Sequence, residues 1–198
     1  MRICFVGDSF VTGVGDDDCL GWPGRVCSAA RKAGDDVICY NLGIRRDTSA
    51  DIRARWRREA EARLPTEYDG RLVFSFGTND CTAGDDADGV RVSRARALAN
   101  AEAILAEART WRPTLMVGPL PVGDDPDIDR RVAALSRDLD ALCAPLGVPF
   151  LEVFATMAAN RPWTREAAAG DGTHPNAGGY AALAQMVAGW DAWRSWFD

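Results

Sequence analysis

The only histidine of the chain, His174, lies in Gly170-Asp171-Gly172-Thr173-His174-Pro175, with a carboxylate three residues before it. An imidazole changes charge near neutral pH, so it is the side chain best suited to moving protons there. A base needs a group to activate. Near the other end of the chain an apolar run over residues 3–6 leads into Gly7-Asp8-Ser9-Phe10, which puts a serine hydroxyl where a strand gives way to a loop. A hydroxyl becomes a competent nucleophile when a base takes its proton, and that base works when a third group fixes its tautomer and steadies the imidazolium. Ser9 as nucleophile, His174 as base and Asp171 as orienting carboxylate meet those demands. Taken singly, Ser9 suits a helix cap, Asp171 a turn beside glycine, and His174 an ordinary surface position. Together these bland readings leave the pairing of the lone histidine with Asp171 a coincidence.

Two further segments stand at the ends of strand-like runs, Asn41-Leu42-Gly43 and Phe76-Gly77-Thr78-Asn79-Asp80. Ser9, Gly43, Asn79 and His174, in that order, resemble the four blocks of the SGNH hydrolases, also called the GDSL esterases and lipases. Each block alone is a weak signal; four in order at strand ends form a specific one. Phe10 departs from the leucine of the family name, an apolar exchange that leaves the chemistry intact. The resemblance implies an oxyanion hole built from the backbone N–H of Ser9, the backbone N–H of Gly43 and the side-chain amide of Asn79. From the residues alone, Gly43 is equally a turn glycine and Asn79 equally a turn former. The implied activity is hydrolysis of carboxylic esters through an acyl-serine, with no metal and no organic cofactor. Thioester hydrolysis and carbohydrate O-deacetylation use the same residues, and a flavodoxin-like binding module without turnover is the rival from outside catalysis.

Other motifs fail on spacing. Gly7-Asp8-Ser9-Phe10-Val11 lacks the second glycine of the α/β-hydrolase nucleophile elbow. Gly13-Val14-Gly15 has no third glycine at the dinucleotide spacing, and the three aspartates that follow would repel a pyrophosphate. Those aspartates also lack the ligand spacing of a calcium loop. One histidine and scattered cysteines offer no zinc ligand set.

The elements that must position these residues alternate. Short apolar runs at residues 2–6, 37–42, 72–76, 115–117 and 148–153 read as strands; segments at about 23–33, 49–64, 90–111, 127–146 and from 176 to the C-terminus read as helices. Near-continuous apolar strands separated by helices predict a parallel sheet covered on both faces. Five strands suggest a flavodoxin-like three-layer α/β/α sandwich in the order 2-1-3-4-5, formed as one catalytic domain over residues 1–198. In that order Ser9, Gly43 and Asn79 emerge side by side at the carboxyl ends of the first three strands. About 20 residues then return the chain from the fifth strand to His174, and Pro175 suits the first turn of the last helix. Trp190, Trp193, Trp196 and Phe197 recur at helical spacing and predict a helix docked on its own core. The arginines of residues 53–63 read as the solvated face of an amphipathic helix.

Composition sets the partners. Hydrophobic residues make up 47% and charged residues 26%, an ordinary globular balance, while the net charge of −6 lacks the positive field that binds nucleic acid. A strand beginning at residue 2 and the lack of an apolar run near ~18 residues predict a cytoplasmic protein without membrane insertion, acting on a small-molecule ester. The six cysteines show no paired spacing and read as free thiols. Oligomeric state is open. Gly-Asp-Asp occurs at Gly15, Gly34, Gly84 and Gly123; three of these, at Gly15, Gly84 and Gly123, fall in loops on the same face as Ser9, which predicts an acidic rim that disfavours anionic substrates.

Overall fold

The computed structural model describes residues 1–197. Five parallel strands form one sheet in the order β2-β1-β3-β4-β5: β1 (Arg2–Gly7), β2 (Ile38–Gly43), β3 (Gly70–Ser75), β4 (Thr114–Val117) and β5 (Phe150–Leu151). This is the flavodoxin-like arrangement expected. Strand side chains alternate between faces, and β1 shows the result: Cys4 and Val6 enter one core, Ile3 and Phe5 the other, all fully buried. The first core is closed by α3 (Ser49–Glu61), α4 (Arg94–Trp111) and α5 (Pro126–Leu146). The second lies under the four-residue α1 (Ser9–Thr12), α2 (Gly21–Ala33), the short α6 (Phe154–Ala158), α7 (Arg161–Ala169), α8 (Ala177–Gly189) and α9 (Asp191–Arg194).

Local chemistry sets several of the boundaries. Thr48 and Asp51 form a reciprocal capping box that starts α3. Asp125 accepts from the N–H groups of Asp127 and Ile128 and starts α5, with Pro126 at its first position. Gly34 and Gly147, both left-handed, end α2 and α5.

Three expectations are corrected. The fifth strand is two residues long, because it is an edge strand whose register with β4 is limited to Met116–Phe150 and Val117–Leu151. The return from β5 to His174 contains α6 and α7. The last helix starts at Ala177, where Asn176 caps it through the Ala177 N–H, so Pro175 stands before the cap; it also stops at Gly189, and Trp190 takes an extended conformation that turns the chain into α9. Trp193 is buried, and Trp190, Trp196 and Phe197 pack against the second core, so the aromatics dock as expected although no single helix carries them. Among the described residues no helix is long and apolar enough to cross a membrane.

Candidate active site

β1 ends at Gly7, and Asp8 caps α1 by accepting from the Phe10 N–H at 3.0 Å. Ser9 is therefore the first residue of a helix, where its N–H has no intrahelical acceptor. Burial pushes the Asp8 carboxyl up to about 7; the Phe10 N–H works against that rise, and the charges of Asp80 and Asp47 add to it.

His174 arrives on the loop between α7 and α8. Asp171 shapes that loop through one carboxylate oxygen, Oδ1, which accepts from the N–H groups of His174 at 2.8 Å and Thr173 at 3.0 Å. Its other oxygen lies 2.7 Å from His174 Nδ1, and His174 Nε2 lies 2.8 Å from Ser9 Oγ. A carboxylate on Nδ1 leaves Nε2 as the acceptor facing the hydroxyl. Burial works to raise the Asp171 carboxyl, but the hydrogen bonds from the His174 N–H, the His174 ring and the Thr173 N–H outweigh it and hold the group at about 2. Ser9 and His174 are buried.

The imidazole is held from behind by aromatic rings. Phe10 packs 5.0 Å from it and stacks on Trp163, which meets Tyr180 edge-on. The Tyr180 hydroxyl donates to Val14 O at 2.7 Å. Gly15, at φ +88, passes so close that a Cβ there would stand 3.2 Å from the His174 Cβ and 2.7 Å from Pro175 O.

The sequence-predicted donors separate. Asn79 opens a short 3-10 turn after β3, lines the cleft, and has its amide fixed by one hydrogen bond from Nδ2 to Asp47 O at 2.9 Å, leaving the second amide hydrogen for another acceptor. Gly43, expected to donate to an oxyanion, does not line the cleft. Its N–H instead donates to Asn41 Oδ1 at 3.0 Å, while Asn41 Nδ2 donates to Val11 O at 2.7 Å. Gly43 acts as a spacer: a Cβ would stand 2.3 Å from Thr12 N and 2.7 Å from Asp8 O, so its lack of a side chain lets β2 approach α1. The residues that do line the cleft after β2 are Arg45 and Arg46, the latter at φ +73.

The cleft over Ser9 encloses about 610 Å³. Arg45, Arg46 and Arg91 line it together with Asp124, Asp125 and Asp171, and Arg45 Nη2 lies 3.5 Å from Asp171 Oδ2; its apolar lining is limited to Phe10, Ala83, Val122 and Ile128. The acidic rim is corrected accordingly. Asp16 is buried in an ion pair with Arg25, Asp17 accepts from Asn176, and Asp86 accepts from the Ser93 N–H and Arg96. These aspartates serve turns and caps, and only the pair after Gly123 reaches the cleft. The arginines lay outside the motif reading; the signal for two of them was their position one residue beyond Asn41-Leu42-Gly43, after Ile44.

A family model described as the GDSL-like Lipase/Acylhydrolase family matches residues 5–182. Comparison with curated proteins finds no match. Among solved structures, the chain is similar to a lipase/acylhydrolase from Enterococcus faecalis, with 23% identity, a TM-score of 0.77, and coverage of 94% of this chain and 93% of that one. It is also similar to Axe2, an acetylxylan esterase from Geobacillus stearothermophilus (19% identity, TM-score 0.74, coverage 98% and 96%), and to TesA (24% identity, TM-score 0.73, coverage 94% and 96%). At these identities the likeness is one of fold.

Proposed function

The chain belongs to the GDSL-like lipase/acylhydrolase family and is a hydrolytic esterase; we propose that Ser9 is its nucleophile, His174 its base and Asp171 the carboxylate that orients the base. The observation that carries this reading is the continuous chain of contacts from Asp171 Oδ2 to Nδ1 at 2.7 Å and from Nε2 to Ser9 Oγ at 2.8 Å.

His174 Nε2 takes the Ser9 proton as Oγ bonds to the carbonyl carbon, and the carbonyl electron pair moves onto oxygen. The Ser9 N–H and the free hydrogen of the Asn79 amide are the donors for that oxyanion, and Gly43 is left out of the hole. Collapse expels the alcohol, which leaves with the proton held on Nε2. A water then repeats the sequence on the acyl-serine, with His174 again as base, and the acid departs. Asp171 stays ionised throughout, which its low pKa supports.

The walls, with Arg45, Arg46 and Arg91 matched by Asp124, Asp125 and Asp171, favour esters of a polar alcohol. A long alkyl chain laid against Arg45, Arg46, Asn79 and Asp124 would strip water from groups it cannot pair with, a cost that a hydroxylated group, able to donate and to accept, avoids. A small acyl group fits the few apolar residues beside Ser9. Free cysteines, four of them buried, support a reducing, cytoplasmic setting, and the net charge of −6 supports a small molecule rather than nucleic acid as partner.

Hydrolysis of a short-chain aryl ester by the parent protein and by His174→Ala tests the reading. Turnover in the parent and its loss in the variant are expected. Equal rates would remove His174 from the chemistry.

A further inference from the structure

We infer that Arg55 is a positioning residue for the oxyanion side of the site, where one guanidinium ties the carboxyl ends of two strands to the turn that orients Asn79. Arg55 belongs to the arginine-rich stretch that reads as a solvated helix face. Its side chain is 13% exposed, against 34% for Arg57 on the same helix, because it shares the inward stripe of α3 with Ile52 and Trp56.

Three separate segments meet on it. Nη2 donates to Gly7 O at 2.9 Å, two residues before Ser9; Nη1 donates to Leu42 O at 2.9 Å, at the end of β2. Nε donates to Asp47 Oδ2 at 2.6 Å, and the carbonyl oxygen of that same Asp47 accepts the Asn79 amide at 2.9 Å. Glu59, one turn further along α3, accepts from Nη1 at 2.8 Å and fixes the plane of the fork.

A loop carbonyl is a poor reference for an amide that must hold its aim within a fraction of an ångström. Arg55 makes it a good one by fastening Asp47 to the ends of β1 and β2. The guanidinium suits this work because it presents five donors in a rigid plane, whereas an ammonium is a compact charge that cannot span three acceptors from three segments. Arg55 touches no reacting atom. It acts through Asp47 and Asn79.

This inference rests on the assignment of Ser9 and Asn79 proposed above, and the experiment separates the two. Arg55→Lys is expected to lower kcat by about tenfold to a hundredfold while KM stays within about twofold, since displacement of a transition-state donor is felt in turnover. In an Asn79→Ala background the same substitution is expected to cost no more than about a third of that factor, because the group it positions is gone. An equal loss in both backgrounds, no loss in either, or an effect confined to KM overturns the inference. Should Arg55→Lys fail to fold, Asp47→Asn keeps the carbonyl used by Asn79, weakens only the ion pair, and is judged by the same comparison. Ser9→Ala measured beside them keeps the readings apart: turnover surviving there overturns the nucleophile assignment, whereas the coupling between positions 55 and 79 decides the role of Arg55.

Discussion

Ser9 and Asn79 are assigned different work, and their removal should look different in kinetics. Ser9→Ala deletes the nucleophile of a group that acts as a unit, so kcat should fall by on the order of 10⁴-fold or more with the fold intact. Asn79→Ala removes one donor to the oxyanion and should cost about a hundredfold to a thousandfold in kcat with KM little changed; an effect on KM alone would make Asn79 a substrate-binding residue. Asp8 gives a prediction about stability. Its carboxyl is raised to about 7 by burial, against about 3.9 in an unfolded chain. Between those values the folded state binds more protons than the unfolded one, so the stability tied to Asp8 is full below the lower value and is lost as pH rises through the upper. Asp8→Asn keeps an acceptor for the Phe10 N–H and stops titrating. Melting temperatures of parent and variant at about pH 5 and about pH 8 should therefore diverge in favour of the variant at the higher pH, and a constant difference would contradict the buried, raised carboxyl. At this scale the reactive types were legible in the sequence, because acyl transfer demands a nucleophile, a base and an orienting acid. The surroundings of the Gly43 N–H were not. Where an N–H points is decided by the neighbouring amide of Asn41 and by the approach of α1, and neither follows from the glycine itself.

Packing of β2 against α1 makes Gly43 testable as a spacer. The Cβ of Gly43→Ala would meet backbone atoms, Thr12 N at 2.3 Å and Asp8 O at 2.7 Å, and backbone cannot rotate away. Relief requires moving α1, which carries Ser9. A displacement near 1 Å costs about a hundredfold in rate, so Gly43→Ala should lower both the melting temperature and kcat; parent-like values of both would contradict the spacer role. The sheet order and the strands were readable because doubly covered strands need continuous apolar runs and parallel crossovers need helices between them. What escaped lies where periodicity is interrupted. α6 and α7 are five and nine residues long, with Asn160 capping α7 and Pro162 in its first turn, too short for a 3.6-residue period to declare itself. Arg55 escaped for another reason: within residues 53–63 one arginine of several points inward, and its spacing from Ile52 and Glu59 was the faint sign of it.

The molecule carries a net charge of −6, yet the cleft beside Ser9 sets Arg45, Arg46 and Arg91 against Asp124, Asp125 and Asp171 and is balanced in sign. Charge at the whole-chain scale was countable from composition; its placement around the cleft depends on which loops fold back over the strand ends, and most of the Gly-Asp-Asp aspartates turn out to serve as caps and ion-pair partners. At physiological ionic strength charges beyond about 8 Å are largely screened, so the groups in contact with substrate govern selectivity. Of two matched esters, one with an alkyl and one with a hydroxylated alcohol part, the hydroxylated one should show the lower KM. Arg46→Gly removes a cleft charge at a left-handed position that glycine accepts without strain, a strain worth about 1 kcal/mol. That variant should gain stability, read as a higher melting temperature. A lower KM for the alkyl ester in the parent would contradict the polar wall.

Covalent labelling of the nucleophile tests the central assignment most directly. A fluorophosphonate forms a stable adduct with a serine activated by a neighbouring base. Peptide mass analysis after incubation is expected to place one label on Ser9, formed readily by the parent protein and lost in both Ser9→Ala and His174→Ala. A label on a different residue, or labelling undiminished in Ser9→Ala, would contradict the assignment of Ser9 as the residue that carries the acyl group.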